Sequence, residues 1–178
     1  MSAGVLLDTS FLITLVNAQR PHHAIARSYY LHLLNSGVPM RLSSIAASEF
    51  AIGQPLTELA LNNFRPLDFN LVHAHEAARL WNALGQRDDG DARAVIRDDV
   101  KLIAQASREG IGVLLTEDAS TLHKYCERLR VSGHIRTRAI VLVDGFDPSA
   151  LREDGQRDLF AGAEGKPSDT SGLGFRAG

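Results

Sequence analysis

Four carboxylates, Asp8, Glu49, Asp99 and Asp118, stand where apolar elements ought to bury them. Asp8 ends the run Val5-Leu6-Leu7. Glu49 falls inside Ile45-Ala46-Ala47-Ser48-Glu49-Phe50-Ala51-Ile52. Asp99 sits in the middle of a helical stretch, and Asp118 follows Val113-Leu114-Leu115-Thr116-Glu117. An ionised acid is seldom buried unless it is paired or bound to a metal. Four acids, distant in sequence and drawn together by a fold, form a donor set for a hard divalent cation. Mg2+ or Mn2+ fits best, because both favour carboxylate and water oxygens. An acidic cage without histidine suits hydrolysis of phosphodiesters, in which one metal activates water and a second steadies the leaving oxygen.

Helical periodicity separates the unusual acids from the ordinary ones. Ala92, Val95, Ile96, Leu102, Ile103 and Ala106 lie at −7, −4, −3, +3, +4 and +7 from Asp99 and share its face of a helix. Asp98 lies beside Ala94 and Lys101 and faces solvent. Glu49 shares a face with Ile45, Ala46, Ile52 and Gly53. Asp8 and Asp118 arise differently, since each follows a strand and opens a helix. Open α/β sheets bind ligands at the carboxyl ends of their strands. Two acids therefore rise from one rim, and two lean over it from helices. Taken singly, Asp8 and Asp118 read as helix caps and Glu49 as a partner for an arginine; the set of four carries the inference.

The elements that must hold these groups alternate. Strands are expected at residues 5–7, 41–43, 67–69, 112–115 and 139–143. Helices are expected at 11–17, 22–35, from a cap at Ser44 through Glu49, and at 55–64, 71–84, 91–108 and 119–129. The helix over 71–84 carries Leu71, Ala74, Ala78 and Trp81 on its apolar side. This alternation predicts a three-layer α/β/α fold around a central, mainly parallel sheet. After Asp144, Gly, Asp, Ser and Pro dominate. The division is thus a domain over 1–144 and a polar tail over 145–178, extended or disordered in part, with 158–160 able to dock as a short turn.

The bulk figures narrow the function. A chain of 178 residues, 44% hydrophobic, can bury one proper core. A net charge of −2 excludes a general polyelectrolyte grip on nucleic acid and leaves only a local patch. Arg87, Arg93 and Arg97 flank the polar turn before Asp99 and are candidate RNA phosphate contacts; pairing with Asp88, Asp89 and Asp91 is an equal alternative. Cys126 is the one cysteine, which excludes an intrachain disulfide and a thiolate zinc site. No basic segment leads into a long apolar one, and no stretch is apolar for the roughly 20 residues of a membrane span, so the expectation is a cytoplasmic protein without a membrane contact. The phosphate-loop, dinucleotide and nucleophile-elbow glycine patterns are absent. Ser10 stands where a haloacid-dehalogenase-like phosphotransferase would want a second Asp. Residues 139–143 offer no lysine for a receiver-like phosphoacceptor. His22 and His23 read as helix-start caps, and His73 and His75, two apart, point to different faces.

Four segments, in order, resemble the PIN-domain nucleases: Leu6-Leu7-Asp8-Thr9-Ser10, residues 44–50 around Glu49, Asp99-Val100-Lys101-Leu102-Ile103-Ala104, and Leu114-Leu115-Thr116-Glu117-Asp118. The likeness runs over residues 5–143. It implies a Mg2+- or Mn2+-dependent endoribonuclease whose catalytic and metal-holding acids are Asp8, Glu49, Asp99 and Asp118. Thr116 matches the hydroxyl that supports the last acid, and Ser10 of the first motif is a second supporting hydroxyl. Among small bacterial members the chain looks most like VapC-type toxins of toxin–antitoxin pairs, which act on RNA, form homodimers and are silenced by an antitoxin protein. Tyr29, Tyr30, Leu33 and Leu34 are the candidate strip for such a partner, or for burial within the monomer. The chain departs from a minimal toxin in its length and in Leu122, which stands where an aromatic often follows. The alternatives are a PIN nuclease that processes RNA outside a toxin pair, and a catalytically silent PIN-like module that binds RNA or protein.

Overall fold

The apolar runs Val5-Leu6-Leu7 and Val113-Leu114-Leu115-Thr116 form two central strands, β1 (Val5–Leu7) and β4 (Val113–Thr116), in a computed structural model that describes residues 3–86, 88, 90 and 92–152. Every residue of both strands is buried. Continuous apolar runs of this kind are what a parallel strand covered on both faces requires. The remaining strands are β2 (Met40–Ser43), β3 (Phe64–Leu67) and β5 (Arg138–Val141). Their order is β3-β2-β1-β4-β5, and all four pairings are parallel. Leu7 lies opposite Leu42 on one side and Leu115 on the other.

The helices are α1 (Thr9–Val16), α2 (His23–Asn35), α3 (Ser44–Gly53), α4 (Leu71–Ala83), α5 (Arg93–Arg108) and α6 (Lys124–Val131). The chain builds outward from β1 to β3, then returns to place β4 on the other flank of β1. Right-handed crossovers in two opposite directions put helices on both faces of the sheet. α1 packs against α2 and α3, and α5 against α4 and α6. The three-layer α/β/α expectation is met. The reversal between β1 and β4 opens a crevice at their carboxyl ends, where doubly wound sheets bind ligands.

Local differences from the sequence reading have physical causes. The helix expected over 55–64 is two short 3-10 turns, Leu56–Glu58 and Leu61–Asn63. Asn62 and Asn63 are poor helix formers, and the chain must extend directly into β3. β3 itself starts three residues before the expected strand and contains Pro66. A proline is tolerated there because β3 is an edge strand. α4 turns a different face inward from the one expected: His73, Glu76, Ala77 and Leu80 are buried, and Leu71 is 87% exposed. Polar partners explain it. His73 Nε2 meets Glu109 at 2.9 Å, and Glu76 accepts from Arg79 and from Ser107 Oγ. The cap of α3 is Ser43, whose Oγ accepts from the Ile45 N–H, rather than Ser44.

Residues 145–152 of the expected tail are packed. The Tyr29 hydroxyl donates to Gly145 O at 3.1 Å and accepts from the Asp147 N–H at 3.1 Å. The Phe146 ring meets the Tyr29 ring edge-on at 4.9 Å. Arg138 Nη2 donates to the carbonyls of Ala150 and Arg152. Residues 153–178, with the turn expected at 158–160, lie outside the described residues. The strip Tyr29, Tyr30, Leu33 and Leu34 is divided: Tyr29 and Leu33 are core, and Leu34 is 43% exposed.

Candidate active site

Asp8 follows β1 directly and caps α1. Its Oδ2 accepts from Ser10 Oγ at 2.6 Å, from Thr116 Oγ1 at 2.8 Å and from the Ser10 N–H at 3.3 Å. Only 6% of Asp8 is exposed. Burial raises its pKa, and the hydroxyl and amide donors offset part of that rise. Thr116, at the end of β4, links the two strand-end acids. Its hydroxyl donates to Asp8 and accepts the Asp118 N–H at 2.9 Å. Ser10 Oγ lies 3.1 Å from Thr116 Oγ1 and accepts the Glu117 N–H at 2.9 Å. Ser10 and Thr116 thus both bond to Asp8, and Thr116 bonds to the backbone of Asp118 as well.

Asp118 opens a π-helical turn, Ala119–His123, that leads into α6. Its Oδ1 accepts from the Ser120 N–H and Oγ, both at 2.7 Å, and from the Thr121 N–H at 3.0 Å. Its Oδ2 accepts from Thr121 Oγ1. Burial opposes its charge, but these donors outweigh burial and hold the carboxyl down to about 2. π-turns cluster at functional sites because the extra residue re-aims the side chains around it. Thr121 and Ser120 went unread in the sequence; the pattern Asp-x-Ser-Thr, an acid with hydroxyls two and three residues on, was the available signal.

Asp99 comes from the middle of α5 and is 8% exposed. Its Oδ2 is buried and has no hydrogen-bond partner among the described residues. Burial pushes its carboxyl up to about 7. A bond from Thr121 opposes the rise, and the charges of Asp8, Asp118 and Glu49 add to it. Asp99 therefore lies within the field of the other three acids. Asp98, one residue away, is 41% exposed and paired with Lys101 Nζ at 2.7 Å, as its helical face implies. The stripe around Asp99 holds at Ile96, Leu102, Ile103 and Ala106, whereas Ala92, at the N-cap, and Val95 are exposed.

Glu49 is only half-buried, and Ile52, expected on its buried face, is 88% exposed. It accepts from Thr9 Oγ1. Burial is the largest influence raising its pKa, and Asp8 and Asp98 add to it. The four acids are electrical neighbours without yet being a closed coordination shell: among the described residues no three acidic, histidine or cysteine side chains stand together as a metal-holding group. Three of the four carboxylates accept from protein hydroxyls.

The arginines divide. Arg93 lies over the Trp81 ring at 5.7 Å. Arg97 is exposed and has no partner among the described residues. Arg87 lies outside the described residues. Asp88, one of the proposed acid partners of the arginines, is instead held by Lys124 Nζ at 2.9 Å. His22 stands at the N-cap position of α2, but its side chain makes no capping bond and its Nδ1 turns to Glu117 Oε1 at 3.0 Å.

The sequence profile of the PIN domain matches residues 5–127. Among solved structures, the chain is similar to FitAcB from Neisseria gonorrhoeae (TM-score 0.54, 15% identity, 78% of this chain and 98% of that one). It is also similar to DNA-bound VapBC from Salmonella typhimurium (0.51, 18%, 80% and 99%). A third is VapBC2 from Rickettsia felis bound to a DNA fragment from its promoter (0.51, 16%, 77% and 97%). At such identities the likeness speaks for the fold. No curated protein matches the chain.

Proposed function

Since the chain belongs to the PIN-domain family, whose profile covers most of it, we propose that it is a divalent-metal-dependent endoribonuclease that hydrolyses RNA phosphodiester bonds. The observation that carries this reading is the buried, unpartnered Asp99 Oδ2, set among Asp8, Asp118 and Glu49 at the β1/β4 switch point. A buried carboxylate oxygen without a donor is costly unless something cationic completes it. The donors are all oxygens, which fits Mg2+ or Mn2+ better than a softer ion. Asp8, Asp99 and Asp118 would hold the ion, with Glu49 at the rim. When bound, it supplies Lewis acidity and a water activated near neutral pH. Ser10 and Thr116 hold Asp8 in one rotamer; Ser120 and Thr121 do the same for Asp118. Arg93 and Arg97, exposed on the first turns of α5, offer guanidinium groups to the RNA backbone beside the acids.

We further read the chain as the toxin of a toxin–antitoxin pair in the cytoplasm, a homodimer restrained by a small partner protein. Two of the folds it resembles were solved as VapBC complexes. A groove of about 600 Å³ lined by Leu15, Val16, Tyr30, Leu31, Leu59 and Phe64 supports a protein partner. Among the described residues no helix is long and apolar enough to cross a membrane. The test joins two measurements. Mn2+ titration by calorimetry should show binding that Asp99→Asn removes, and induced expression should arrest growth in a way Asp8→Ala relieves. Metal-independent RNA cleavage would overturn the nuclease reading. Unimpaired growth at high expression would leave an RNA-processing nuclease in place of the toxin.

A further inference from the structure

Glu117, next to Asp118, is a fifth carboxylate at the switch point, and its partners are not the other four acids. Its side chain is 12% exposed. Thr14 Oγ1 of α1 donates to Oε2 at 2.6 Å. Arg20 donates to the same oxygen through Nε, at 3.1 Å, and through Nη2. His22 Nδ1 lies 3.0 Å from Oε1. The backbone of Glu117 is tied as well, its N–H donating to Ser10 Oγ, which itself bonds to Asp8. His23 Nδ1 meets Thr14 O at 3.0 Å and closes the far end. One residue therefore joins the acid site to the connection between α1 and α2, whose residues 17–19 are otherwise exposed.

An exposed Arg–Glu pair stabilises a fold little, whereas this carboxylate is nearly buried and meets three side chains brought from 95 to 103 residues away. The arrangement does something specific to Arg20. Its Nε edge is held by Glu117, Nη1 makes no bond among the described residues, and 39% of the side chain faces solvent. A guanidinium fixed along one edge presents the other in a set plane, the form that matches phosphate oxygens. Thr14 lies six residues from Asp8 along α1, about 9 Å at 1.5 Å per residue. The cluster is therefore beside the acids rather than among them.

We propose that Glu117 is a positioning residue that fixes Arg20 as a contact for an RNA phosphate flanking the cleaved bond. The proposal rests on the nuclease reading. The test uses the full chain in Mn2+ with a fluorescent single-stranded RNA, comparing wild type, Arg20→Ala, Glu117→Gln and the double variant. Arg20→Ala is expected to raise KM about tenfold, in line with loss of one charge-assisted hydrogen bond, with kcat within about twofold. It should lower the slope of log affinity against log salt by about 0.7, the release from one phosphate of a single strand. Glu117→Gln should reproduce part of this loss, and the double variant should be no worse than Arg20→Ala. Mn2+ affinity should hold in Arg20→Ala, while the melting temperature falls, because the nearly buried Glu117 carboxylate loses one of its three side-chain partners. An unchanged KM and salt slope in Arg20→Ala would overturn the proposal, as would additive losses, or loss of a protein partner with RNA affinity kept. Should the wild type bind Mn2+ yet neither bind nor cut RNA, the nuclease reading falls and this proposal with it.

Discussion

Asp118 and Asp99 face the same crevice and are treated in opposite ways. Asp118 sits at a strand end, where the π-turn supplies two backbone N–H groups and two hydroxyls, and its charge is held firmly with a pKa of about 2. Asp99 is delivered from the middle of a helix, where the neighbouring N–H groups are occupied within the helix. It has an orphaned oxygen and a pKa near 7. The helix positions the acid but cannot solvate it. One carboxylate is thus charged by the protein itself, and the other is the one with most to gain from a cation. On the proposed metal-dependent reading, that division would make the site responsive to the ion.

The contrast is broken most severely by Asp99→Asn, which keeps the shape and removes the charge. RNA cleavage in Mn2+ is expected to fall to background while circular dichroism stays native. Cleavage persisting at wild-type rates would show that Asp99 is a bystander.

Stability without divalent ions comes next. The folded pKa of Asp99 lies above its ordinary value of 3.8. Between about pH 4 and pH 7 the folded state therefore holds a proton that the unfolded state has released, and stability falls as pH rises. Wild type in chelator should melt higher at pH 5 than at pH 8, by about 1–4 kcal/mol on this group's account. Asp99→Asn should reduce that slope, leaving what Asp8, Glu49 and the histidines add to both proteins. At the acid end, Asp118 works the other way. Its depressed pKa stabilises the fold above about pH 4, and that contribution is lost as pH falls through 2.

A smaller effect sharpens the other half of the comparison. Thr121→Val removes the hydroxyl on Asp118 Oδ2 and should weaken Mn2+ binding about 10- to 100-fold, the usual consequence of losing an outer hydrogen bond to a ligand. Thr121→Ser should restore most of it. Affinity unchanged in the valine variant would mean that the turn's backbone alone holds Asp118. Smallest of all, Asp98→Asn touches only an exposed pair with Lys101 and should change stability by less than about 0.5 kcal/mol and leave Mn2+ affinity alone.

What could be read in the sequence follows from where the information lies. β1 and β4 were legible because a strand buried on both faces is a plain apolar run. Asp99 was told from Asp98 by helical spacing alone. The inward face of α4 was not legible, because its core positions are His73 and Glu76, and their partners Glu109, Arg79 and Ser107 include residues 31 and 36 positions away. β3 was displaced because Pro66 argues against a strand until the strand is known to be an edge. Glu117 read as one acid of a motif. Its companions Thr14, Arg20 and His22 lie on α1 and the connection after it, outside every motif, and only the parallel pairing of β1 with β4 brings them to Glu117.

The docking of residues 145–152 has a consequence for how the protein is made. Tyr29 reaches its bonding partner Asp147 across 118 residues. During synthesis the chain emerges amino-terminus first, and all four acids precede residue 119. The crevice can therefore assemble while Tyr29 still lacks its partners and the face of α2 that carries Tyr29 and His32 stands open. Closing so long a loop is slow, since its entropy is lost before the contact repays it. Nascent chains would pass through an interval in which the nuclease centre is built and the last seam of the domain is not, and a partner arriving in that interval would meet a surface that the finished molecule no longer offers.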